Sequence, residues 1–413
     1  MRTLTGKAAA AAVRKLAARG LQFDELEPAV ERIVRDVRRG GDRSLRRYAQ
    51  KWDGLAARQG LRVTEREIRV AWEAASPELK SSLRAASANI RQFCEWQKPV
   101  GWQRSRGGMT VGQIVRPLDR VGCYVPSGRY PLVSTLLMTV IPAQVAGVES
   151  ICIVSPKPRS EMLAAAGMLG IAEVYRVGGA QAIAALAYGT ESIPRVDKIV
   201  GPGNAYVTVA KKLVAFDCSI DFLAGPTEVV ICSDDGTPEF IAADLVAQAE
   251  HDPDALAIFI TTRAPLAKEV ASEVSRLARN NTIATESLRR QGVTLVAKSR
   301  EQALDWANEI APEHITVGAR DVEHIRSAGS VFVGDYSPQS VGDYAAGPNH
   351  VLPTGGAARF RGGLSVLDFV KLISVQKLSM PALRRIAPVV ESLANIEGLT
   401  AHAESVQARC NRA

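Results

Sequence analysis

From residue 116 onward the chain alternates short runs rich in β-branched residues with alanine-rich stretches, and this pattern restricts its fold strongly. Such alternation is typical of βαβ units and hence of mostly parallel sheets covered by helices. A first set of predicted strands spans residues 120–125, 150–155, 173–177 and 198–200. A second set spans residues 228–233, 256–261, 293–297, 314–317 and 330–333. The predicted fold class is therefore α/β, with two Rossmann-like domains but no convincing sequence repeat between them.

The segments on either side of these sets have a helical pattern. Residues 27–52 and 64–96 carry apolar side chains every three or four positions with charged residues between them, which favours amphipathic helices. The chain from residue 365 onward again has a helical pattern, which Pro381 and Pro388 interrupt. We predict an N-terminal helical segment (1–115), a first α/β domain (116–225), a second (226–364) and a C-terminal helical tail (365–413).

Composition narrows the functional class. The chain has 413 residues, 46% of them hydrophobic and 23% charged, which is ordinary for a soluble enzyme with two cores. Its net charge of +8 is spread along the chain rather than gathered in one block, so nucleic-acid binding is not favoured. Six cysteines without a CxxC pair indicate reduced thiols and a cytoplasmic location. Basic residues interrupt the N-terminal alanine run, so neither a signal peptide nor a membrane span is predicted.

Two glycine turns follow predicted strands of the first domain, at residues 177–181 and 201–204. The free amides of a helix N-terminus can hold a pyrophosphate. Neither turn matches GxGxxG, so plain strand-to-helix turns are an equally good interpretation. Tyr124 and Gln181 lie at predicted strand and helix ends, where they could contact a nucleotide or cap the sheet.

Gln248 and His251 have the spacing of two ligands on one face of a helix. Alone, the pair is more typical of a solvated helix end than of a metal site. Asp343 would add an anionic oxygen, and His402 a second nitrogen. Together the four residues form a donor set of two nitrogens and two oxygens that suits zinc and leaves positions open for a substrate.

Glu313 and His314 are adjacent in the sequence and stand between Pro312 and a predicted strand. A carboxylate and an imidazole side by side can divide general-base and general-acid work near neutral pH. We therefore predict that this pair lies at the mouth of the second sheet and takes part in proton transfer.

Eight runs of sequence resemble the histidinol dehydrogenase family, in this order: VGCYVPSG, VGGAQAIAALAYGT, KIVGPGNAYV, DFLAGPTEVV, ADLVAQAEHDP, APEHITV, GDYAAGPNHVLPT and EGLTAHAESV. The similarity covers nearly the whole chain. It implies a cytoplasmic homodimer with one zinc ion per subunit that oxidises L-histidinol through the aldehyde to L-histidine with two NAD, the last steps of histidine biosynthesis. The first domain would then be the NAD side, and the second would carry the zinc and the catalytic residues.

The resemblance also implies roles for individual residues. Glu313 would activate water on the aldehyde, and His314 would shuttle protons in both hydride transfers. The cofactor NAD would be bound by Tyr124, Gln181 and Asn204. The zinc ligands would be Gln248, His251, Asp343 and His402. The substrate would contact Thr227, Gln248, His251, His314, Asp343, Glu397 and His402. In such enzymes His402 and Glu397 complete the site of the neighbouring subunit.

Two positions depart from the family pattern. Thr227 stands where the family commonly has serine, and Ser127 replaces a frequent glycine ahead of Arg129. Some paralogues oxidise other alcohols, including a sulfonated propanediol, and Arg129 could attract such an anion. The tail residues around Glu397 match the biosynthetic enzymes, so L-histidinol is the preferred substrate and the other alcohol is the alternative.

Overall fold

A computed structural model describes residues 1–20, 23–127 and 132–411. Within these residues the helices are α1 (Gly6–Ala17), α2 (Glu27–Tyr48), α3 (Glu65–Ala74), α4 (Pro77–Gln97), α5 (Val133–Ala146), α6 (Ser160–Met168), α7 (Gly179–Tyr188), α8 (Ala205–Val214), α9 (Pro238–Ala249), α10 (Ala264–Leu277), α11 (Thr282–Arg290), α12 (Arg300–Ile310), α13 (Gln339–Tyr344), α14 (Met380–Ile396) and α15 (Thr400–Cys410). The strands are β1 (Arg2–Thr5), β2 (Trp102–Arg106), β3 (Met109–Pro117), β4 (Arg120–Tyr124), β5 (Ser150–Ser155), β6 (Glu173–Arg176), β7 (Lys198–Val200), β8 (Ser219–Ile220), β9 (Glu228–Cys232), β10 (Leu256–Thr261), β11 (Val293–Val296), β12 (His314–Val317), β13 (Ser330–Val333) and β14 (Val370–Leu378).

Two parallel sheets form the centre of the fold. The first has the order β6-β5-β4-β7-β8, and the second has the order β1-β11-β10-β9-β12-β13. Apart from β1, each sheet places its strands in the sequence order 3-2-1-4-5, which is the doubly wound arrangement. The predicted fold class is therefore confirmed, and the two sheets share one topology despite the lack of a visible sequence repeat.

Apolar side chains cover both faces of each sheet. Along β5, Ile153 and Val154 point into separate buried clusters on opposite faces, and Ile258 and Phe259 do the same along β10. Successive strand residues alternate between faces, so a strand covered on both sides needs apolar residues at every position. This explains the continuous apolar runs of the sequence. No helix in the described part of the chain is long and apolar enough to cross a membrane.

The N-terminal segment is helical over α1 to α4, as predicted, but it begins with a strand that the prediction missed. Strand β1 pairs in parallel with β11 at the edge of the second sheet, with Leu4 opposite Leu295. A run of four residues beside an alanine-rich helix carries no periodicity of its own. Its strand conformation comes from the exposed edge of β11, which supplies the hydrogen bonds.

A small antiparallel sheet in the order β14-β3-β2 also departs from the predicted helical segments. Ile114 of β3 lies opposite Ile373 of β14, so the sheet joins residues from the predicted N-terminal segment to residues of the C-terminal tail. The tail is helical beyond this strand, in α14 and α15. The pairing is between distant parts of the chain, so local sequence patterns could not reveal it. The domain boundaries remain predictions.

A short connection between β8 and β9 keeps one edge of the first sheet close to one edge of the second. Strand β8 ends at the carboxyl edge of the first sheet, and β9 begins at the amino edge of the second. Residues 221–227 join these ends and span at most roughly 25 Å when fully extended. The carboxyl edge of one sheet therefore lies near the amino edge of the other.

Candidate active site

Glu313 and His314 lie at the amino edge of the second sheet, where β12 begins. Helix α12 ends at Ile310, and Ala311 adopts a left-handed conformation with φ 51° before Pro312. The residue before a proline is disfavoured in the right-handed helical region, which helps to end the helix here. His314 lies opposite Val229 of β9, the strand that pairs with β12 on the inner side of the sheet. The predicted position of the pair at the mouth of the sheet agrees with this placement.

A chain of hydrogen bonds holds one oxygen of Glu313. Its Oε2 accepts from the Thr227 hydroxyl at 2.5 Å and from the backbone amide of Glu228 at 2.8 Å. The side-chain amide of Gln248 donates in turn to the Thr227 hydroxyl. The hydroxyl is therefore committed as a donor to the carboxylate, and Glu313 Oε1 is the oxygen left for a reacting group.

The imidazole of His314 is fixed in one tautomer. Its Nδ1 lies 3.0 Å from the backbone carbonyl oxygen of Glu228, which can only accept, so Nδ1 carries the proton. Its Nε2 is buried and has no hydrogen-bond partner among the described residues. Asp343 Oδ1 is 3.5 Å away from Nε2. In the neutral ring, Nε2 is thus a free base beside a carboxylate.

Burial and mutual proximity shift the pKa values of both Glu313 and His314. Burial raises the pKa of Glu313 to about 7, although the imidazole of His314 and the Thr227 hydroxyl oppose the rise. For His314, burial lowers the pKa, but the carboxylates of Glu313 and Asp343 outweigh it, so the pKa lies above its ordinary value. Raised pKa values at buried, paired groups are characteristic of functional sites.

Three of the predicted metal ligands approach the same edge of the sheet. Gln248 is buried near the end of α9, Asp343 lies in α13, and His251 follows the end of α9. Gln248 and His251 span the end of α9 rather than lying within it: the helix ends at Ala249, Glu250 keeps right-handed helical angles, and the His251 amide donates to the Gln248 carbonyl oxygen at 3.4 Å. Among the residues described, no three His, Cys, Asp or Glu side chains gather closely enough to hold a metal ion.

His402 and Glu397 do not join the other predicted site residues within one chain. Helix α15 carries His402 and packs against α14, which Glu397 follows. A cavity of 270 Å³ is lined by His314 and Asp343, and a larger one of 830 Å³ by His251. Neither His402 nor Glu397 lines these cavities.

His350 supports the position of Asp343. Its Nδ1 lies 2.7 Å from the backbone oxygen of Asp343, and its Nε2 lies 3.3 Å from the Thr135 hydroxyl. The two partners tie the end of α13 to α5, because one ring nitrogen serves each of them. His350 thus holds the chain around Asp343 in place.

The three predicted NAD residues line one cavity at the carboxyl edge of the first sheet. Tyr124 ends β4, Gln181 lies in α7, and Asn204 caps α8. The cavity has a volume of 450 Å³, and Asp53 and Lys157 also line it. Dinucleotides bind at this edge of a doubly wound sheet, beside the point where the strand order reverses.

The backbone amides of the first glycine turn already donate hydrogen bonds within the protein. Asp53 Oδ2 accepts from the Gly178 amide and from the Gln181 side chain, both at 3.0 Å, and the Tyr124 hydroxyl accepts from the Gly179 amide at 3.2 Å. Burial raises the pKa of the Asp53 carboxyl group, and the two hydrogen bonds oppose that rise. The interpretation of this turn as a strand-to-helix turn is therefore favoured over a seat for a pyrophosphate.

The second glycine turn depends on close backbone contact. Gly201 has φ 110°, and a Cβ atom there would overlap the backbone oxygen of Tyr124. Its amide donates to Asp221 at 2.8 Å, and its carbonyl accepts from the buried Lys211 at 2.5 Å. We expect Gly201→Ala to lower the free energy of unfolding by about 2 kcal/mol or more, measured by thermal and denaturant unfolding.

Gly362→Ala is the matched control for this prediction. Gly362 is exposed, has no positive φ and has open space around its Cα. An equal loss of stability in both variants would contradict the proposed role of the Gly201 contact.

Two residues that contact the site were not predicted from the sequence. Asp53 comes from the helical segment, and Glu228 contributes its backbone groups to Glu313 and His314. Neither had a local signal, because a single carboxylate beside a helix or strand is usually a surface residue. Their burial in the fold is the signal that identifies them. Arg129, which could favour an anionic substrate, lies outside the described residues.

Comparison with known proteins places the whole chain in one group. The family model described as histidinol dehydrogenase matches residues 16–410. The chain is 45% identical over 403 residues to histidinol dehydrogenase from Methanothermobacter thermautotrophicus, with 94% of each chain covered. It is 46% identical to that of Thermus thermophilus, over 96% of this chain and 97% of the relative. The crystal structure of histidinol dehydrogenase from Elizabethkingia anophelis matches with a TM-score of 0.94 and 36% identity, covering 99% of this chain and 98% of the other.

Proposed function

Since the chain belongs to the histidinol dehydrogenase family, we propose that it oxidises L-histidinol through the aldehyde to L-histidine, with two NAD as electron acceptors. The observation that carries this proposal is the buried pair of Glu313 and His314 beside Asp343 and Gln248. The comparisons give no support to the alternative, a sulfonated propanediol as substrate. The protein is an oxidoreductase, and its place in histidine biosynthesis follows from its family.

The residues at the edge of the second sheet fit a zinc ion. The amide nitrogen of Gln248 is committed to Thr227, so its Oε1 is the atom free to bind a metal. Asp343 supplies an anionic oxygen and His251 a nitrogen, and we assign the fourth position to the partner subunit's His402. A bound zinc ion would hold the substrate through its imidazole and amino nitrogens and fix its carbinol carbon for hydride transfer.

His314 and Glu313 carry the proton transfers. Loss of hydride from an alcohol requires removal of the hydroxyl proton, and Nε2 of His314 can accept it when the ring is neutral, a form that the raised pKa of His314 makes more abundant at higher pH. Oxidation of the aldehyde requires a hydrate. The free Oε1 of Glu313 can take a proton from the attacking water, while Thr227 and Glu228 hold the other oxygen still. The two groups thus serve different steps.

We place NAD in the cavity lined by Tyr124, Gln181 and Asn204. Asn204 uses its Oδ1 to accept from the Val207 amide at 3.2 Å, so its Nδ2 is the group available to a ligand. The short connection over residues 221–227 supports this placement, because it keeps the NAD edge of the first sheet near the catalytic edge of the second.

Exposed apolar side chains in the tail support a homodimer. They lie on β14 and α14, at Leu372, Ile373, Val389, Leu393 and Ile396. A subunit interface would bury such side chains, which a monomer leaves in contact with water. We propose a cytoplasmic homodimer in which Glu397 and His402 reach the neighbouring active site.

The first test is the amount of NADH formed from a limiting amount of L-histidinol. We expect two NADH per substrate molecule, because both oxidations occur on one enzyme. A chelator should abolish turnover, and added zinc should restore it. One NADH per histidinol would contradict the second oxidation, and turnover only with a sulfonated alcohol would favour the alternative substrate.

Mixed dimers test the sharing of active sites. A Gln248→Leu subunit and a His402→Asn subunit should each be inactive as homodimers. If His402 serves the neighbouring site, a mixed dimer has one site with both changes and one intact site. Random mixing should then restore about a quarter of the wild-type activity per site. No recovery, with mixed dimers shown by tagged subunits, would place His402 in its own subunit's site.

A further inference from the structure

Arg19 and Glu228 form a buried ion pair behind the active site. Arg19 follows α1, and Glu228 is the first residue of β9. The guanidinium donates through Nε to Glu228 Oε1 at 2.7 Å and through Nη2 to Oε2 at 2.6 Å. Only 17% of the Arg19 side chain and 5% of the Glu228 side chain are exposed. This two-pronged geometry fixes the direction as well as the distance between the two groups.

The backbone of Glu228 holds both members of the catalytic pair. Its amide donates to Glu313 Oε2 at 2.8 Å, and its carbonyl oxygen accepts from His314 Nδ1 at 3.0 Å. The orientation of one peptide segment therefore decides where the free oxygen of Glu313 and the free nitrogen of His314 point. The Glu228 side chain is directed away from them, to Arg19 and to the Gly355 amide at 3.0 Å.

Arg19 also holds the chain that leads into Glu313. Its Nη1 donates to the carbonyl oxygen of Ile310 at 2.6 Å, and its Nη2 lies 3.4 Å from that of Ala311. Ala311 has the left-handed conformation that turns the chain from α12 towards β12. One guanidinium thus contacts the segment before Glu313 and the strand residue that holds the catalytic side chains.

We propose that Arg19 and Glu228 are positioning residues for Glu313 and His314. The ion pair fixes the β9 peptide groups that orient the carboxylate and the imidazole, and Arg19 fixes the turn before them. Neither residue touches the reacting atoms. The assignment of chemistry to the pair rests on the proposed function, but the positioning itself does not.

Arg19→Lys and Glu228→Gln test this inference with little change in volume. Lysine keeps the charge but cannot form the fork, and glutamine keeps one acceptor oxygen. Arg14→Lys is the matched control, because Arg14 is exposed on α1. Labelling with ¹⁵N-histidine gives side-chain signals from only five residues, and loss in His314→Asn identifies the Nδ1–H signal of His314.

We expect that signal to shift or broaden in Arg19→Lys and Glu228→Gln, and to stay in place in Arg14→Lys. With L-histidinol, kcat should fall by about 10- to 100-fold, while KM changes by less than about threefold. A lower melting temperature with an unchanged signal and unchanged kcat would overturn the inference, because the pair would then serve stability alone. If the wild type does not oxidise histidinol, the proposed function fails, and the NMR signal still decides the positioning.

Discussion

His314→Asn is expected to lower kcat for both oxidations by about 10²- to 10⁴-fold, with little change in KM. The reason is that Nε2 of the neutral ring, 3.5 Å from Asp343 Oδ1, is the proposed proton acceptor, and asparagine has no nitrogen that can replace it. L-histidinol and L-histidinal supplied separately report the two oxidations. The control is His324→Asn, because His324 is exposed away from the pair. Normal oxidation of either compound by the His314 variant would contradict a shared role.

Glu313→Gln should separate alcohol oxidation from aldehyde oxidation. The glutamine oxygen can still accept from Thr227 and Glu228, so the geometry is retained while the free carboxylate oxygen becomes an amide. We expect alcohol oxidation to stay within a few-fold of wild type and aldehyde oxidation to fall by about 100-fold or more. Equal loss in both half-reactions would show that the division of labour between Glu313 and His314 is wrong.

Asp343→Asn should reduce both zinc content and turnover. Asp343 is the only anionic ligand in the proposed set, so its loss leaves the ion with neutral donors. We expect at least about a 100-fold loss of turnover, since even groups that only hydrogen-bond to a ligand typically change metal affinity by 10- to 100-fold. Zinc per subunit is measured by elemental analysis after dialysis.

Zinc content separates metal binding from other effects of this change, because Asp343 also lies 3.5 Å from His314 Nε2. Asp305→Asn is the control. The Asp305 side chain is 71% exposed and lies 3.7 Å from Arg326 on the surface. Full zinc content in the Asp343 variant, with low turnover, would assign Asp343 to His314 rather than to the metal.

Apart from β1 and the two-residue β8, the strands of both parallel sheets could be predicted from the sequence, with small errors at their ends. Strands such as β5 and β10 are covered on both faces, so their positions are apolar except at the strand ends, and the runs stand out between alanine-rich helices. The pair of Glu313 and His314 could also be predicted, because a proline and a strand start fix its place at the edge of a sheet. These features depend on neighbouring residues alone.

Other features depend on contacts between distant residues, and only the tertiary structure decided them. Strand β1 and the β14-β3-β2 sheet form because open edges elsewhere in the fold supply partners for their backbone groups. Helix α9 ends at Ala249, so His251 lies on the turn that follows the helix rather than within it.

The site shows the same division. The sequence predicted which chemical groups are available and placed Glu313 and His314 at the edge of the second sheet, because motifs and strand boundaries are local. The tertiary structure decided how they are held: Arg19 reaches Glu228 across 209 residues of sequence, and the backbone of Glu228 bonds to Glu313 and His314. Such contacts form only when the complete fold excludes water around them, and no local pattern records that.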